Sequence, residues 1–458
     1  MDLYTLSVLI PTIYLGIIIL VQLILAIRVW WVFSHADEHN HHYNRNPRVS
    51  IIVPAYNEEV TIVDSIESML SQNYINMDII VINDGSTDKT LDVLKANYSL
   101  KKSKEHSDKL KERMATYNLH FSKFNEVYYD EAKDIIVIDK VNGGKSTALN
   151  AGIVLTDSEY VLGVDADTIL RKDAITNTLR KKDKDVDGVS CMIGIANGNP
   201  FDTDNIQPLF PKKWLLRRQW LEYLTSFVLW RSGNNAFKKV TVIPGAYSFI
   251  RRSAILEVGG YKRNYLAEDG ELTLNLIKNG YKIQFISEFM AWTECPESIK
   301  GLGKQRLRWY RGTLQNMIEY RSLLFNPKQH WFISFFSIPF AWFADIIGGW
   351  VEVFTWCLMA FYLITGVAID WVYFVSLWAF VIFMYSITMT LLLSFTHKKL
   401  YPKDHSSKIY RLIPIVMVET FSYHFLNLYW IIKAHINEYM KKEHVWNKLK
   451  RKGLKRKK

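Results

Sequence analysis

Val161-Leu162-Gly163-Val164-Asp165-Ala166-Asp167-Thr168 is the stretch on which the fold turns. Four mostly apolar residues read as the end of a buried strand, and two carboxylates follow, one residue apart, where the chain leaves the sheet. Along a strand-like segment, side chains i and i+2 point to the same side, so Asp165 and Asp167 are expected to face a common point. Open α/β sheets place their ligands at the carboxyl ends of strands. Paired hard oxygens there suit a divalent cation that holds a diphosphate. An isolated Asp-x-Asp is more often a solvated turn, so the reading depends on its surroundings.

Upstream, Val49 to Val53 is an uncharged β-branched run that suits a strand covered on both faces. Pro54-Ala55-Tyr56-Asn57-Glu58-Glu59 leaves it, and a helix from about Val60 to Gln72 follows, with Ile62, Ile66, Met69 and Leu70 on one stripe. Asp78 to Asn83 reads as a second strand ending in Asp84-Gly85-Ser86-Thr87-Asp88, where Asp84 could be no more than a helix cap. Strand, helix and strand make a βαβ unit. Residues 98–133, rich in Lys and Glu and helix-forming around Lys109 to Met114, look like a surface insertion. Strand signals resume at Ile135 to Ile138. Asn142-Gly143-Gly144-Lys145-Ser146 then opens a helix leading toward Asp165. Glycines there let backbone approach a phosphate, and a helix amino terminus stabilises anions, but the spacing is not that of a P-loop.

Downstream, Lys212 to Trp230 is rich in Trp and Arg and is expected along the membrane surface or beneath a bound chain. Pro244-Gly245-Ala246-Tyr247 follows a β-like run, and Gly260 closes a short helix. Ala267-Glu268-Asp269-Gly270-Glu271-Leu272 begins the next helix, with more acid than capping alone requires. In Lys304-Gln305-Arg306-Leu307-Arg308-Trp309-Tyr310-Arg311 a helix would place Gln305, Arg308 and Trp309 on one face. That face offers an amide, a guanidinium fit for phosphate and a ring able to stack on a sugar or base. Arg306 and Arg311 lie elsewhere on the wheel, where lipid phosphates could take them.

The ends of the chain are apolar. Residues 7–33 carry one charge, Arg28, and as a helix would reach roughly 40 Å, enough to span a bilayer. The segment lacks the basic start and small-residue cleavage site of a signal peptide, so it reads as an uncleaved anchor. Arg45, Arg48 and the basic domain beyond place that domain on the cytoplasmic side. His35, His39, His41 and His42 between them have no regular metal spacing and read as a hydrated linker. Toward the carboxyl end, 331–366 (broken by Asp345 and Gly348-Gly349), 370–395 and 409–432 are candidate spans, the first read as two helices meeting near 347. Asp345 and Glu419 could line a sugar channel or serve helix packing. The net charge of +12 admits nucleic acid, anionic lipid or a phosphorylated substrate, and the long apolar segments decide for membrane lipid and against nucleic acid. Cys191, Cys295 and Cys357 have neither disulfide nor zinc spacing and read as buried small residues.

The ordered set Pro54-Ala55-Tyr56-Asn57-Glu58, Asn83-Asp84-Gly85-Ser86, Gly143-Gly144-Lys145, Asp165-Ala166-Asp167, Glu268-Asp269 and Gln305-Arg306-Leu307-Arg308-Trp309 resembles the processive family 2 glycosyltransferases, the membrane synthases of β-glycans. Gln219 to Tyr223, Gly245-Ala246 and Gly259-Gly260-Tyr261 look most like the synthases of β-1,6-linked poly-N-acetylglucosamine. The resemblance implies an α/β, GT-A-type nucleotide-diphospho-sugar transferase domain set between N-terminal and C-terminal transmembrane helices. It implies that Asp84 and the Tyr56-Asn57-Glu58 loop hold the uridine of a UDP-sugar, with Lys145 near the same nucleotide and Pro54 and Gly245 completing the substrate site. Asp165 and Asp167 would carry the diphosphate through Mg2+ or Mn2+. Asp269, beside Glu268, would be the general base, and Gln305, Arg308 and Trp309 would clamp the leaving diphosphate and the acceptor end of the polymer. Ala267 stands where this family usually has Thr, which loosens the hydrogen bonding around Asp269.

The expected layout is therefore an N-terminal transmembrane helix (1–34), a juxtamembrane linker (35–47), a cytoplasmic catalytic domain (48–300) with its insertion at 98–133, an interfacial helix (301–330), three or four transmembrane helices (331–432) and a basic tail (433–458). The expected enzyme is a UDP-sugar-dependent, inverting hexosyltransferase of the plasma membrane that polymerises a biofilm-type exopolysaccharide, poly-β-1,6-N-acetylglucosamine, onto a growing chain and helps pass it across the membrane. A small membrane accessory subunit is left open as a partner. The alternatives are a hyaluronan, chitin or other β-glucan synthase, a non-processive transferase to a lipid carrier, and a membrane receptor that binds nucleotide-sugar without turnover.

Overall fold

In the computed structural model, which describes residues 3–34, 46–198, 211–366, 370–400, 412, 414–416, 423–442 and 453, ten strands form one sheet. They are β1 (Val49–Ala55), β2 (Met77–Asp84), β3 (Lys101–Lys102), β4 (Phe124–Asp130), β5 (Ile135–Lys140), β6 (Tyr160–Gly163), β7 (Thr168–Leu170), β8 (Gly188–Ile195), β9 (Ser248–Arg251) and β10 (Ile283–Thr293). Their order across the sheet is β3-β4-β5-β2-β1-β6-β9-β8-β10-β7. β1 lies between β2 and β6, parallel to both, and its β-branched run is buried along nearly its whole length. β5 continues the parallel set beyond β2. Four carboxyl ends therefore open in one direction, and Pro54, Asp84, Lys140 and Asp165 all lie at or just past them.

The helix Lys145–Leu155 packs against β1 and β2 so closely that a side chain on Gly152 would meet Ile52 Cγ2 at 2.7 Å. The expected helices near 60–72 and after Ala267 are present as Ile62–Leu70 and Glu268–Lys278. Around 245 the order of elements differs from the sequence reading. The run before Pro244 makes only an isolated bridge, Lys239 to Ile283, and the strand β9 comes after Tyr247. Lys212 to Trp230 is exposed only at Lys212, Lys213 and Trp214. It is the helix Trp214–Leu224 continued by a π-helical stretch, Thr225–Ser232, in which Leu216, Arg218, Trp220 and Leu221 are buried and fully buried Gln219 donates to the Pro296 carbonyl at 2.8 Å.

The chain divides into two compact units. One contains residues 37–223, 235–301 and 444–458, and with them the sheet. The other contains residues 1–36, 224–234 and 302–443. Among the described residues of the second unit, three helices are long and apolar enough to cross a membrane: Val8–Trp31, Ile333–Thr365 and Trp371–Leu393. They mark a membrane protein. The break expected near Gly348-Gly349 does not occur. Two π-helical stretches, Ile333–Ser337 and Trp342–Ile347, keep the backbone helical through it, and Gly348 accommodates the Tyr14 hydroxyl rather than ending a helix. Tyr423–Tyr439 is helical, and Glu352 reaches His424 Nε2 at 2.7 Å.

Arg306 and Arg311 do not face lipid. Both are buried, Arg311 on Glu438 at 3.0 Å. Asp345 is exposed on its π-helical stretch, and Cys357 is exposed whereas Cys191 and Cys295 are buried. The histidines at 35–42, Glu419 and residues 443–452 and 454–458 of the basic tail lie outside the described residues, and the helix Tyr423–Tyr439 runs past the expected start of that tail at 433.

Candidate active site

At the carboxyl end of β1 the chain turns through Asn57, whose backbone takes a φ of +58°. An asparagine tolerates that conformation because its amide can bond nearby backbone. Here its Oδ1 accepts from the amides of Thr87 at 2.6 Å and Asp88 at 3.1 Å, and its own amide donates to Ser86 Oγ at 2.9 Å. The Glu58 amide donates to Thr90 Oγ1 at 2.8 Å, and Glu58 Oε2 accepts from Thr61. The Tyr56-Asn57-Glu58 loop and the turn after Asp84 are thus stitched into one rim above β1 and β2, with Pro54 and Tyr56 half-buried.

Asp84 sits below that rim with only 5% of its side chain exposed. Its Oδ1 accepts from the Gly143 amide at 3.0 Å and from Lys140 Nζ, and its Oδ2 from the Gly144 amide at 2.8 Å. Asp84 is therefore the anchor of the Gly143-Gly144 turn. Gly144 has a φ of +86°, the left-handed region open to glycine, and caps the helix that starts at Lys145. Burial pulls the Lys140 ammonium below its ordinary range, opposed by Asp84. Lys140 carried no signal in the sequence beyond being the last residue of a β-branched strand. The insertion also reaches this turn. A side chain on Gly143 would strike Ser122 Oγ at 2.7 Å, one on Gly260 would strike Leu119, and Asn150 Nδ2 donates to the His120 carbonyl.

Four charged side chains converge around Gly245. Lys145 Nζ lies 2.6 Å from Asp165 Oδ1 and 2.9 Å from Glu268 Oε1. The Gly245 amide donates to Asp269 Oδ2 at 3.1 Å, and the Gly270 amide donates to the other oxygen at 2.8 Å. A Cβ on Gly245 would sit 2.6 Å from Lys145 Nζ, so a side chain there would displace the ammonium from its present position. Burial works against the lysine's charge, but Asp165, Glu268 and Asp269 outweigh it and hold the ammonium well above its usual range. Fully buried Tyr261 borders the cluster, and burial raises its phenol likewise.

Asp165 and Asp167 do not lie on an extended segment. The chain turns at once, with the Thr168 amide on the Asp165 carbonyl at 3.0 Å, because β7 must reverse to pair antiparallel with β10. Asp165 is one-third exposed, whereas Asp167 is buried and accepts from Thr293 Oγ1 at 3.2 Å. Among the described residues no group of three or more His, Cys, Asp or Glu is arranged to hold a metal.

Gln305, Arg308 and Trp309 stand on the helix Ile299–Glu319, in the unit that carries the apolar helices. Buried Arg306 contacts two of them: its NH1 donates to Gln305 Oε1 at 2.8 Å, and its guanidinium lies 4.2 Å from the Trp309 ring centre.

A sheet with parallel carboxyl ends opening onto a lysine, three carboxylates and two glycine turns defines a GT-A-like sugar-transfer domain. A solved mannosyltransferase from Pyrobaculum calidifontis, determined with GDP-mannose and Mn2+, superposes with a TM-score of 0.58 over 96% of this chain and 99% of its own, at 14% identity. The model described as glycosyl transferase family group 2 matches residues 160–393, and that described as glycosyl transferase family 2 matches residues 50–110. The chain belongs to glycosyltransferase family 2 and is a hexosyltransferase. The poly-β-1,6-N-acetyl-D-glucosamine synthase of Staphylococcus epidermidis is 27% identical over 85% of this chain and 81% of its own length. A probable glycosyltransferase of Bacillus subtilis, YdaM, is 29% identical over 66% of this chain and 64% of its own.

Proposed function

We propose that the chain is a processive, inverting synthase that polymerises β-1,6-linked N-acetylglucosamine from UDP-N-acetylglucosamine and helps pass the product across the plasma membrane, with its sheet domain cytoplasmic. The observation that carries the reading is the convergence of Lys145, Asp165 and Asp269 on Gly245, in a family 2 chain with three apolar helices. The similarity to a poly-N-acetylglucosamine synthase along most of both chains supports the choice of product.

The rim of Tyr56, Asn57 and Glu58 and the turn anchored by Asp84 would seat the uridine. Lys145 would meet the diphosphate. Asp269 would take the proton from the acceptor hydroxyl. Two backbone amides hold its carboxylate in one orientation, which is what a general base requires. Glu268, buried and paired with Lys145, would orient that lysine and not attack the sugar, in keeping with a single displacement with inversion.

Asp165 and Asp167 fit Mg2+ or Mn2+. Both offer hard oxygens, and such ions are commonly held by one or two carboxylates plus substrate phosphates. When bound, the cation neutralises charge on the departing diphosphate.

Membranes given each radiolabelled UDP-sugar in turn, with product size and linkage analysed, test the reading. A long β-1,6-linked polymer from UDP-N-acetylglucosamine is expected, and Asp269→Asn should slow its formation by roughly 10²–10⁴-fold while donor binding persists. One sugar on a lipid, with no further growth, would remove processivity. A polymer made only from another donor would remove the product assignment.

A further inference from the structure

We infer that Lys145 is a latch on Asp165: it occupies the carboxylate while the site is empty, moves to the donor's diphosphate, and so makes cation and donor bind as a coupled pair. This rests on the reading of Asp165 and Asp167 as cation ligands. The ammonium of Lys145 lies 2.6 Å from Asp165 Oδ1, on the most exposed carboxylate of the Asp165-Asp167 turn. Helix formation does not call for a lysine there. Lys145 is the first residue of the helix Lys145–Leu155, the end at which peptide dipoles already gather positive charge and a cation is unfavourable. What holds it are the two carboxylates, and the missing side chain of Gly245 leaves the room it occupies.

A divalent cation arriving alone at Asp165 meets a fixed positive charge on the same carboxylate. The two repel, and the side chain is only 17% exposed, so water screens the repulsion weakly. A diphosphate changes the balance. The four-carbon stem and freely turning ammonium let lysine exchange one anionic partner for another. Glu268 keeps it within reach during the exchange, from a side chain 3% exposed whose Oε2 has no hydrogen-bond partner among the described residues. Donor binding thus frees Asp165 for the cation, and by linkage the cation must strengthen donor binding by the same factor.

Mn2+ binding to the full-length protein in detergent, read from the electron paramagnetic resonance signal of the free ion, tests this with and without UDP. In the wild type, UDP should tighten Mn2+ binding by roughly tenfold or more. Lys145→Met should tighten binding of Mn2+ alone by roughly tenfold, and most of the enhancement by UDP should vanish. Because methionine leaves Glu268 buried without its partner, the double variant Lys145→Met with Glu268→Gln is measured beside it, and the same direction is expected. If neither variant binds Mn2+ alone more tightly than the wild type, the latch is overturned. The Asp167→Asn variant separates this from failure of the underlying reading: undiminished Mn2+ binding there removes the cation assignment, and the latch with it.

Discussion

Asp84 and Lys140 face each other with 5% and 1% of their side chains exposed, one at the end of β2 and one at the end of the neighbouring β5. Such a pair gains little over two apolar residues, but losing one partner strands the other charge out of water. Asp84→Ala should therefore lower stability by about 3–5 kcal/mol. Asp84→Asn combined with Lys140→Met should recover most of that loss, both read from thermal unfolding in detergent. If Asp84→Ala leaves the melting point unchanged but abolishes donor binding, the carboxylate serves the nucleotide directly and the pairing is incidental. Asp84 could be found in the sequence because a carboxylate closing an apolar strand is conspicuous. Lys140 could not, because only the register that sets Asp84 beside Lys140 gives it a meaning. The same holds for the turn at Asp165 and Asp167. Its carboxylates were legible as a pair, but their separate partners, Lys145 and Thr293, come from elements distant in the chain.

At the scale of elements, the segment 98–133 shows how a polar insertion can belong to a site that its composition does not advertise. Its helix, Lys104–Thr116, starts on Ser103, and β4 extends the sheet antiparallel to β5. From that helix, Arg113 NH1 donates to the carbonyls of Val154, Leu155 and Thr156 at 2.9, 3.0 and 2.9 Å. A guanidinium there satisfies the open carbonyls of the helix Lys145–Leu155 and complements its negative end. Arg113→Ala should reduce stability by about 1.5–3 kcal/mol, the range for hydrogen bonds to a charged group. Hydrogen exchange should be faster in the last turn of that helix than in β1. Equal exchange in both would mean that the insertion only lies on the surface. The β1-to-β2 core was legible from its apolar runs. The insertion's part was not, because an Arg bound to three carbonyls looks, in sequence, like any surface arginine.

At the scale of the whole molecule, hydropathy located the apolar helices but not their continuity, since the π-helical stretches within Ile333–Thr365 leave no compositional trace. The helix Ile299–Glu319 raises the corresponding question for function. The polymerase proposed above would have to keep hold of its product after each addition, and the flat ring of Trp309 is suited to a sugar. The same ring also carries the buried Arg306 guanidinium at 4.2 Å, so removing it has two effects. Trp309→Ala should leave donor binding near wild type and shorten the product, as measured by size analysis of the labelled glycan. Trp309→Phe should restore much of the length, because a ring remains for both partners. Arg306→Met supplies the discrimination. If it destabilises the protein but leaves product length unchanged, Trp309 acts on the acceptor itself. If it shortens the glycan as much as Trp309→Ala does, the ring acts by holding Arg306. Full-length polymer from Trp309→Ala at the wild-type rate would exclude both, and the hold on the growing chain would then have to be sought among the apolar helices.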